Sequence, residues 1–288
     1  MAKNLRHWVQ AGWALITNSY VTGFLHGKIY RGPIKNICVP GLNCYSCPGA
    51  LGSCPLGALQ AVAGSWKYNV SLYLIGFFMI VGALGGRFVC GWLCPFGLFQ
   101  DLLHKIPFPK KLRGFRGDRT LRYLKYLILL IFVILLPMFA VDIAGQGAPY
   151  FCKYICPAGT LMGGWPLTAL DSALRGAIGF LFAWKSVILV VTILLSVVIY
   201  RPFCKYICPL GAIYACFNKV SFYKLRVDEH ACTKCGACAR KCKMGIEPYK
   251  TPNSPECIRC GDCTRACPHN AICPNISIKK EPKAVCKK

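Results

Sequence analysis

Cysteine is the residue type best able to do chemistry in this sequence, because 21 of the 288 residues are cysteines and most stand at fixed spacings. Cysteine thiolates bind iron–sulfur clusters and zinc, and they exchange with disulfides. A Cys-x-x-x-Cys-Pro-x-Gly motif recurs in the first three quarters of the chain, and two runs of four cysteines lie near the C-terminus. The two patterns predict two kinds of metal-binding segment.

The C-terminal runs have the spacing Cys-x2-Cys-x2-Cys-x3-Cys, which is typical of bacterial ferredoxins with two 4Fe–4S clusters. In such pairs the fourth cysteine of each run ligates the cluster of the other run. The ligands predicted for the first cluster are Cys232, Cys235, Cys238 and Cys267. Those predicted for the second are Cys257, Cys260, Cys263 and Cys242. Zinc ribbons use cysteine pairs with a different spacing, so the runs disfavour zinc.

The Cys-x-x-x-Cys-Pro-x-Gly motif occurs in full at residues 90–97, 152–159 and 204–211. A partial copy, SCPLG, lies at Ser53–Gly57 and has further cysteines upstream. Cysteines four residues apart share one face of a helical turn, and the proline after the second cysteine ends that turn or begins a new helix. One motif can therefore supply two of the four thiolates that a cluster needs.

Motifs that alternate between the two faces of a membrane predict one inner and one outer site. The inner site takes Cys90, Cys94, Cys204 and Cys208. The outer site draws on Cys38, Cys44, Cys47, Cys54, Cys152 and Cys156. We expect the outer site to be built from Cys152, Cys156, Cys47 and Cys54, with Cys44 or Cys38 as a substitute. Three alternatives to cluster binding remain open. The motif cysteines could be buried and inert, the inner set could bind zinc, and the outer set could form disulfides.

Long apolar stretches must position these motifs, since 55 % of the residues are hydrophobic and only 16 % are charged, against roughly 25 % charged in soluble domains. Three stretches are long enough to cross about 30 Å of hydrocarbon: Val70–Val89, Tyr123–Gly145, and Ser186–Tyr200 together with the apolar lead-in Ala177–Trp184. Trp8–Leu25 is a fourth, more polar candidate, which either spans the membrane or lies in its interface. The predicted fold is therefore mainly α, with about four transmembrane helices followed by a small α+β domain like a two-cluster bacterial ferredoxin.

The basic residues indicate membrane orientation rather than nucleic-acid binding. The net charge is +25, but lysines and arginines gather between the apolar stretches, as in the cytoplasmic loops of membrane proteins. Residues 104–125 carry eight of them against one acid, Asp118. This segment and the basic C-terminal tail are predicted to be cytoplasmic, in a multi-pass protein of the inner (cytoplasmic) membrane.

Two domains follow from this arrangement. Residues 1–225 form the predicted transmembrane domain, with a possible inverted repeat of 1–115 and 116–225, and residues 226–288 form the predicted cytoplasmic domain. The inner and outer sites are expected near opposite edges of the hydrocarbon layer, roughly 30 Å apart. A single electron hop over that distance would be slow, so a bridging cofactor is also expected.

Taken together, the three full motifs, beginning at Cys90, Cys152 and Cys204, and the eight C-terminal cysteines resemble the membrane-bound polyferredoxins of the NapH/NosR type. The resemblance covers about residues 70–275. It implies electron transfer between the quinone pool or cytoplasmic donors and reductases beyond the membrane. Two features depart from the nitrate-reductase-type pattern. They are the presence of a third full motif, the one predicted on the outer face at residues 152–159, and the N-terminal cysteine group. Both favour a version of the protein that connects both membrane faces.

We therefore expect a membrane-integral iron–sulfur protein that relays electrons between a cytoplasmic donor or quinone and an extracytoplasmic redox partner. The expected cofactors are two 4Fe–4S clusters in the C-terminal domain, one or two further clusters at the membrane faces, and a quinone as a candidate. The expected partners are membrane lipid, a ferredoxin-like protein or flavoprotein, and an extracytoplasmic reductase, but not nucleic acid.

Two alternative functions remain open at this point. One is a transmembrane thiol–disulfide reductant that uses ferredoxin electrons. The other is a membrane anchor for a ferredoxin-dependent enzyme. No residue set resembles a catalytic base, a nucleophile or a substrate pocket, so the expected role is that of an electron-transfer subunit in an oxidoreductase system.

Overall fold

The computed structural model describes residues 5–65, 71–109, 111–112, 114–142, 146–176 and 178–275. Over these ranges the fold is mainly helical, as the sequence predicts, and a two-stranded sheet lies in the C-terminal segment. Parts of the sequence predictions lie outside the described ranges. They are Val70, residues 143–145 and Ala177 at the ends of predicted spans, the basic residues Lys110 and Arg113, and residues 1–4 and 276–288 at the ends of the predicted domains.

Helices in the first part of the chain surround the first two motifs. They are α1 (Leu5–Thr17), α2 (Val21–His26), a 3-10 turn (Pro33–Asn36), α3 (Pro55–Gly64), α4 (Leu72–Gly85), α5 (Phe88–Trp92) and α6 (Pro95–Leu103). The middle part contains α7 (Asp118–Leu121), α8 (Leu124–Ile128), a π-helical stretch (Leu129–Leu135), α9 (Leu136–Phe139), α10 (Tyr150–Tyr154), α11 (Pro157–Gly159), a second π-helical stretch (Thr160–Gly164), α12 (Trp165–Leu170) and α13 (Ser172–Gly176). The last part contains α14 (Phe180–Val198), α15 (Pro202–Tyr206), α16 (Pro209–Phe217), β1 (Leu225–Val227), α17 (Ala237–Lys241), α18 (Asp262–Ala266) and β2 (Ile272–Pro274).

Two helices are long and apolar enough to cross a membrane in the described part of the chain, namely Asp118–Phe139, which runs from α7 through α9, and α14. In the most apolar 18-residue stretch of each helix, only 22 % and 17 % respectively is buried inside the molecule. Most of this apolar surface therefore faces outward, as it does on lipid-exposed helices. The count of four spans is not confirmed. Helix α4 has 14 residues and α1 has 13, and both are shorter than the roughly 20 residues that a straight span needs.

Each full motif folds as a short helix, a break, and a second helix. The second cysteine of each motif has extended backbone and caps the helix that begins at the following proline, as Cys94 does for α6 and Cys208 does for α16. Proline suits the first position of a helix because its missing N–H group would have no partner there. The partial motif behaves in the same way, with Cys54 capping α3. Every motif therefore presents its second thiol at a helix N-terminus.

The C-terminal segment is a small α+β unit, as the sequence predicts. Strands β1 and β2 pair antiparallel, with Arg226 opposite Cys273, and α17 packs against α18. The segment lies directly on the motif at residues 90–97, since a Cβ atom added to Gly91 would stand 2.2 Å from the carbonyl oxygen of Ile258. The predicted boundary between residues 225 and 226 therefore separates two closely packed parts, and their independence as domains stays a prediction.

Candidate iron–sulfur sites

The eight C-terminal cysteines line two small cavities. One cavity is lined by Cys232, Cys235, Cys238 and Cys267, and we call these residues the terminal group. The other is lined by Cys242, Cys257, Cys260 and Cys263, which we call the middle group. Each cavity has a volume of about 20 Å³. The fourth cysteine of each run thus lies with the first three of the other run, which is the grouping that the spacing predicts.

The same backbone turn shapes both groups. Lys234 and Arg259, each the residue before the second cysteine of a run, have a φ of +54°. The glycines two positions later, Gly236 and Gly261, are also left-handed and precede α17 and α18. Consecutive turns of this kind direct backbone N–H groups toward a common point, which suits an anionic ligand.

The middle group is more deeply buried than the terminal group. Burial raises the pKa of the Cys263 thiol, and the neighbouring thiolates of Cys257, Cys260 and Cys242 raise it further. In the terminal group Cys235 is exposed, and a hydrogen bond from the backbone of Ala237 lowers its pKa. The terminal group is therefore the one that a soluble partner can reach.

The four cysteines of the predicted inner site lie together between two motifs. Burial raises the pKa of Cys208, and the thiolates of Cys204, Cys90 and Cys94 raise it further. Burial also raises the pKa of Cys204 to about 11, with a further increase from Cys94. All four are buried side chains with 5–7 % of their surface exposed. We call Cys90, Cys94, Cys204 and Cys208 the inner group.

The outer site assembles around a different fourth cysteine from the one expected. Burial raises the pKa of Cys152 well above its usual value, with further increases from Cys156, Cys54 and Cys44. These four, which we call the outer group, line one cavity of about 850 Å³. Cys44 therefore takes the place that we expected for Cys47, because the loop from Leu42 to Ser46 lines this cavity.

Cys47 and Cys38 lie beside the outer group without lining its cavity. Burial raises the pKa of Cys47, and among its neighbours are Cys44, which raises the pKa, and Lys35, which lowers it. Cys38 forms a β-bridge with Ser53, and its backbone N–H donates to the hydroxyl of Tyr73 at 3.2 Å. The substitute role expected for Cys38 therefore has no support from its position.

The Pro-x-Gly part of the motif brings a backbone N–H group near each second thiol. The glycine N–H opposes the rise in pKa that burial causes at the cysteine three residues earlier, with Gly57 acting on Cys54, Gly97 on Cys94, Gly159 on Cys156 and Gly211 on Cys208. In one copy it donates a hydrogen bond, from the Gly97 nitrogen to the Cys94 Sγ at 3.4 Å. Helix N-termini favour negative charge, so the motif is built to hold thiolates.

Side chains that the motif search missed complete both sites. Gln100 donates from Nε2 to the Cys204 Sγ at 3.1 Å, and Gln60 donates from Nε2 to the Cys152 Sγ at 3.1 Å. Arg87 donates to the Cys204 carbonyl at 3.0 Å, and Arg201 donates to the Cys90 carbonyl. In the outer site Lys185 donates to the Cys152 carbonyl at 3.0 Å.

The sequence did carry a signal for these residues. Arg87 and Arg201 each stand three positions before the first cysteine of a motif, and Gln60 and Gln100 each stand six positions after a motif's second cysteine. These offsets extend the Cys-x-x-x-Cys-Pro-x-Gly frame in both directions.

The donor set fits iron–sulfur clusters. Each group presents four thiols, which is the number that a 4Fe–4S cluster takes. The Nε of Arg87 is buried with no hydrogen-bond partner among the described residues, and the Arg87 guanidinium lowers the pKa of the neighbouring Cys90. An N–H group left unpaired beside four thiols suits an anionic group. Over the described ranges, no three Cys, His, Asp or Glu side chains form a site for a single metal ion.

The inner and outer groups are close neighbours, contrary to the expected separation of roughly 30 Å. The backbone N–H of Leu42 lies close enough to the Cys94 thiol of the inner group to oppose the rise in its pKa, and Cys44 of the outer group follows two residues later. Two residues of extended chain span at most about 7 Å. The expected distance was too long, because the segment around Gly41 folds against the backbone of Cys94.

Tyr214 lies between these two groups. Its side chain is fully buried and donates from its hydroxyl to the Pro40 carbonyl at 3.0 Å. Burial raises the pKa of Tyr214, and thiolates of both groups, including Cys90 and Cys54, raise it further. A single aromatic side chain is therefore in electrostatic range of both sites.

The middle group is joined to the inner group by direct contacts. The indole N–H of Trp92, within the second motif, donates to the Arg259 carbonyl at 3.0 Å. Arg87 forms an ion pair with Glu256 at 2.8 Å, next to Cys257. Asn218 donates to the Cys257 carbonyl at 2.8 Å. The C-terminal segment is thereby held in one position relative to the inner site.

Comparison with known proteins finds a matching family model and several similar proteins. A family model described as a 4Fe-4S binding domain matches residues 70–116, 125–166 and 180–227. The chain is 28 % identical over 226 residues to the methylamine utilization ferredoxin-type protein MauN of Methylorubrum extorquens, covering 75 % of this chain and 70 % of that protein. It is 30 % identical over 164 residues to the regulatory protein NosR of Pseudomonas aeruginosa, covering 56 % of this chain and 21 % of NosR.

A further relative is the putative electron transport protein YccM of Escherichia coli, which is 27 % identical over 184 residues, or 62 % of this chain and 47 % of YccM. The chain spans about half the length of several curated relatives that it matches. No solved structure gives a significant match.

Proposed function

Since the chain is a polyferredoxin-like iron–sulfur protein related to electron-transport proteins, we propose that it is a membrane-integral electron relay in which each four-cysteine group holds one 4Fe–4S cluster. The clusters would supply one-electron redox chemistry. The chain's own residues supply the ligands, bury them, and hold the groups in series. The observation that carries the proposal is the packing of residues beside the middle group on the motif that bears Cys90 and Cys94, and of the Gly41 segment beside the outer group on Cys94.

The relay has four stations, in the order terminal, middle, inner and outer group. Exposure of Cys235 supports exchange with a soluble partner at the terminal group. The Gly91–Ile258 contact supports transfer between the middle and inner groups. The close approach of Gly41 and Leu42 to Cys94, together with Tyr214, supports transfer between the inner and outer groups. Electron transfer slows steeply with distance, so this spacing makes a separate bridging cofactor unnecessary.

We assign the membrane domain to residues 1–225 and the cytoplasmic ferredoxin-like domain to residues 226–288. Asp118–Phe139 and α14 span the membrane in this arrangement, and the basic residues before Asp118 support a cytoplasmic position for the C-terminal segment at the inner membrane. The partners on the cytoplasmic side are a ferredoxin-like protein or flavoprotein, and an extracytoplasmic reductase is the partner on the other side.

A quinone site fits beside the outer group. The cavity there is about 850 Å³, against about 20 Å³ for each C-terminal cavity that four cysteines line. Its volume falls in the range of ligand pockets, which is roughly 300–1,000 Å³. Leu167, Phe182 and small residues line it, together with Lys185 and the buried hydroxyl of Thr160. An apolar ring with carbonyl oxygens matches that combination.

The geometry favours cluster ligation over the two alternative functions. The six outer cysteines are free thiols in the structure, and four of them line one cavity, whereas a thiol–disulfide reductant needs a reactive pair. An inert membrane anchor does not explain why Gln60 and Gln100 donate hydrogen bonds to cysteine sulfurs in both membrane-domain groups.

The experiment is an iron and sulfide count on the full chain, purified anaerobically in detergent, with EPR spectra at graded potentials. Four clusters give about 16 iron atoms per chain, whereas an anchored ferredoxin segment gives about 8. The double variant Cys204→Ser/Cys208→Ser is expected to lose about four iron atoms, and Cys216→Ser, at an exposed cysteine outside the groups, is expected to lose none. A count of about 8 in the unaltered chain would reject the relay.

A further inference from the structure

We propose that Arg87 and Arg201 are positioning residues that fix the shape and raise the redox potential of the inner group, and that Arg87 alone also locks the C-terminal segment onto that group. This inference rests on the proposed function, because it assumes that the inner group holds a cluster. Neither residue belongs to the cysteine motif, and the relatives' names say nothing of either.

The two arginines are related by a reciprocal exchange between motifs. Arg87 precedes the motif at residues 90–97 and donates to the carbonyl of Cys204, in the motif at residues 204–211, at 3.0 Å. Arg201 precedes the motif at residues 204–211 and donates to the carbonyl of Cys90, in the motif at residues 90–97. Each guanidinium thus holds the first ligand-bearing turn of the opposite motif. The crossed bonds fix the distance between the two halves of the site.

The glycine of each motif makes room for this exchange. A Cβ atom added to Gly97 would lie 3.2 Å from the guanidinium carbon of Arg201. A Cβ atom added to Gly211 would lie 3.4 Å from a guanidinium nitrogen of Arg87. The Pro-x-Gly of one motif therefore leaves room for the arginine of the other.

Burial makes the charge of both arginines consequential. Both side chains are fully buried, and a buried cation is costly unless it is paired. Arg201 forms a bidentate pair with Asp101, at 2.7 and 2.6 Å, and Arg6 shares that carboxylate at 2.9 Å. Arg87 pairs with Glu256 at 2.8 Å, and Lys125 shares that carboxylate.

The surroundings of the inner group therefore carry more positive than negative charge. Four cations share two carboxylates, which leaves a net charge of +2 beside four thiols. Positive charge stabilises the reduced, more negative form of a cluster and so raises its potential. It also compensates thiolates whose burial would otherwise favour protonation.

The two arginines differ in what they join. Asp101, the partner of Arg201, lies in α6 next to Gln100, so the contacts of Arg201 stay within the membrane domain. Arg87 also donates to the Pro255 carbonyl at 2.9 Å and to Glu256. One guanidinium thus bonds both Cys204 of the inner group and the residues just before Cys257 of the middle group. Arg201 is therefore a matched control for the locking role of Arg87.

The test uses four variants of the full chain: Arg87→Gln, Arg201→Gln, Arg87→Lys and Arg201→Lys. The glutamine variants leave no carboxylate unpaired, because Lys125 remains with Glu256 and Arg6 with Asp101. EPR-monitored redox titration is expected to show a lower midpoint potential of the inner-group signal in both glutamine variants, with most of the shift restored by lysine. Arg175→Lys, at an exposed residue of α13, is expected to leave the signal unchanged.

Amide hydrogen exchange of residues 256–258 separates the locking role. Loss of the hydrogen bonds from Arg87 to Pro255 and Glu256 is expected to speed exchange at least about tenfold in Arg87→Gln, and exchange is expected to stay unchanged in Arg201→Gln. Equal exchange in the two variants would overturn the locking role. Unchanged potentials in both variants, with the inner signal present, would overturn the positioning role.

If an arginine variant loses iron, Glu256→Gln tests the electrostatic argument in its place. This substitution removes a negative charge and is therefore expected to raise the inner-group potential. A fall or no change there would contradict the electrostatic argument. Failure of the proposed function is distinct, because it would show as an absent inner-group signal in the unaltered chain.

Discussion

Gln60 and Gln100 occupy equivalent places in two different sites. Each lies six residues after a motif's second cysteine and is fully buried. Each donates from Nε2 at 3.1 Å to the first cysteine of another motif, Gln60 to Cys152 and Gln100 to Cys204. The inner and outer groups are therefore built on one plan, in which a helix that begins at one cysteine carries a hydrogen-bond donor for the opposite pair.

Replacing either glutamine is expected to shift the potential of its own site only. Hydrogen bonds to ligand sulfurs raise a cluster's potential, so Gln100→Leu is expected to lower the midpoint of the inner-group signal, and Gln60→Leu that of the outer-group signal. Redox titration followed by EPR measures both. Each variant is the control of the other, and a shift of both signals by one substitution would contradict independent sites.

The grouping of the C-terminal and inner cysteines could be predicted because spacing encodes it. A cysteine run with fixed short gaps closes on itself locally, and Cys90–Cys94 and Cys204–Cys208 are copies of one motif. The fourth outer cysteine could not be predicted, because Cys44 and Cys47 lie in a loop without periodicity, where backbone path alone decides which thiol enters the cavity.

Two other features could not be read from the sequence for physical reasons. Apolar stretches predict spans by composition, but α4 ends at Gly85 and Gly86 takes a φ of +49°, so the helix stops short of a full span. In the sequence Arg87 is a single charge near the end of the apolar stretch Val70–Val89, and nothing in a single sequence shows that Glu256, 169 residues later, is its partner.

Cys44→Ser and Cys47→Ser are expected to differ although the two residues are three positions apart. Cys44 lines the outer cavity with Cys54, Cys152 and Cys156, and Cys47 does not. The Cys44 variant is therefore expected to lose the outer-group signal and up to about four iron atoms, and the Cys47 variant to lose none. Iron analysis with EPR measures both, and the reverse result would show that Cys47 is the ligand.

Gly91→Ala is expected to separate the C-terminal segment from the inner group. The added Cβ would stand 2.2 Å from the Ile258 carbonyl oxygen, a backbone atom that cannot move aside alone, and overpacking of this kind costs about 1–3 kcal/mol. The measurement is magnetic coupling between the reduced middle and inner groups, seen as EPR line broadening, which should weaken. Gly76→Ala is the control, because a Cβ there meets nothing within 4 Å. Equal coupling in the two variants would contradict the contact.

Tyr214→Leu is expected to slow electron transfer between the inner and outer groups without changing the iron count. Tyr214 is fully buried between the two groups, packed edge-on against Phe78 with ring centroids 6.1 Å apart. Loss of the ring leaves a cavity and lengthens the packed path between the two sites, whereas Tyr214→Phe keeps the ring and removes only the hydrogen bond to Pro40.

Freeze-quench EPR after rapid reduction at the terminal group would follow the arrival of electrons at each site. Slower reduction of the outer group in the leucine variant, with a near-normal rate in the phenylalanine variant, is the result expected of a through-protein path. Equal slowing in both variants would assign the path to the Pro40 hydrogen bond, and no slowing in either would place it along the Leu42–Cys44 backbone.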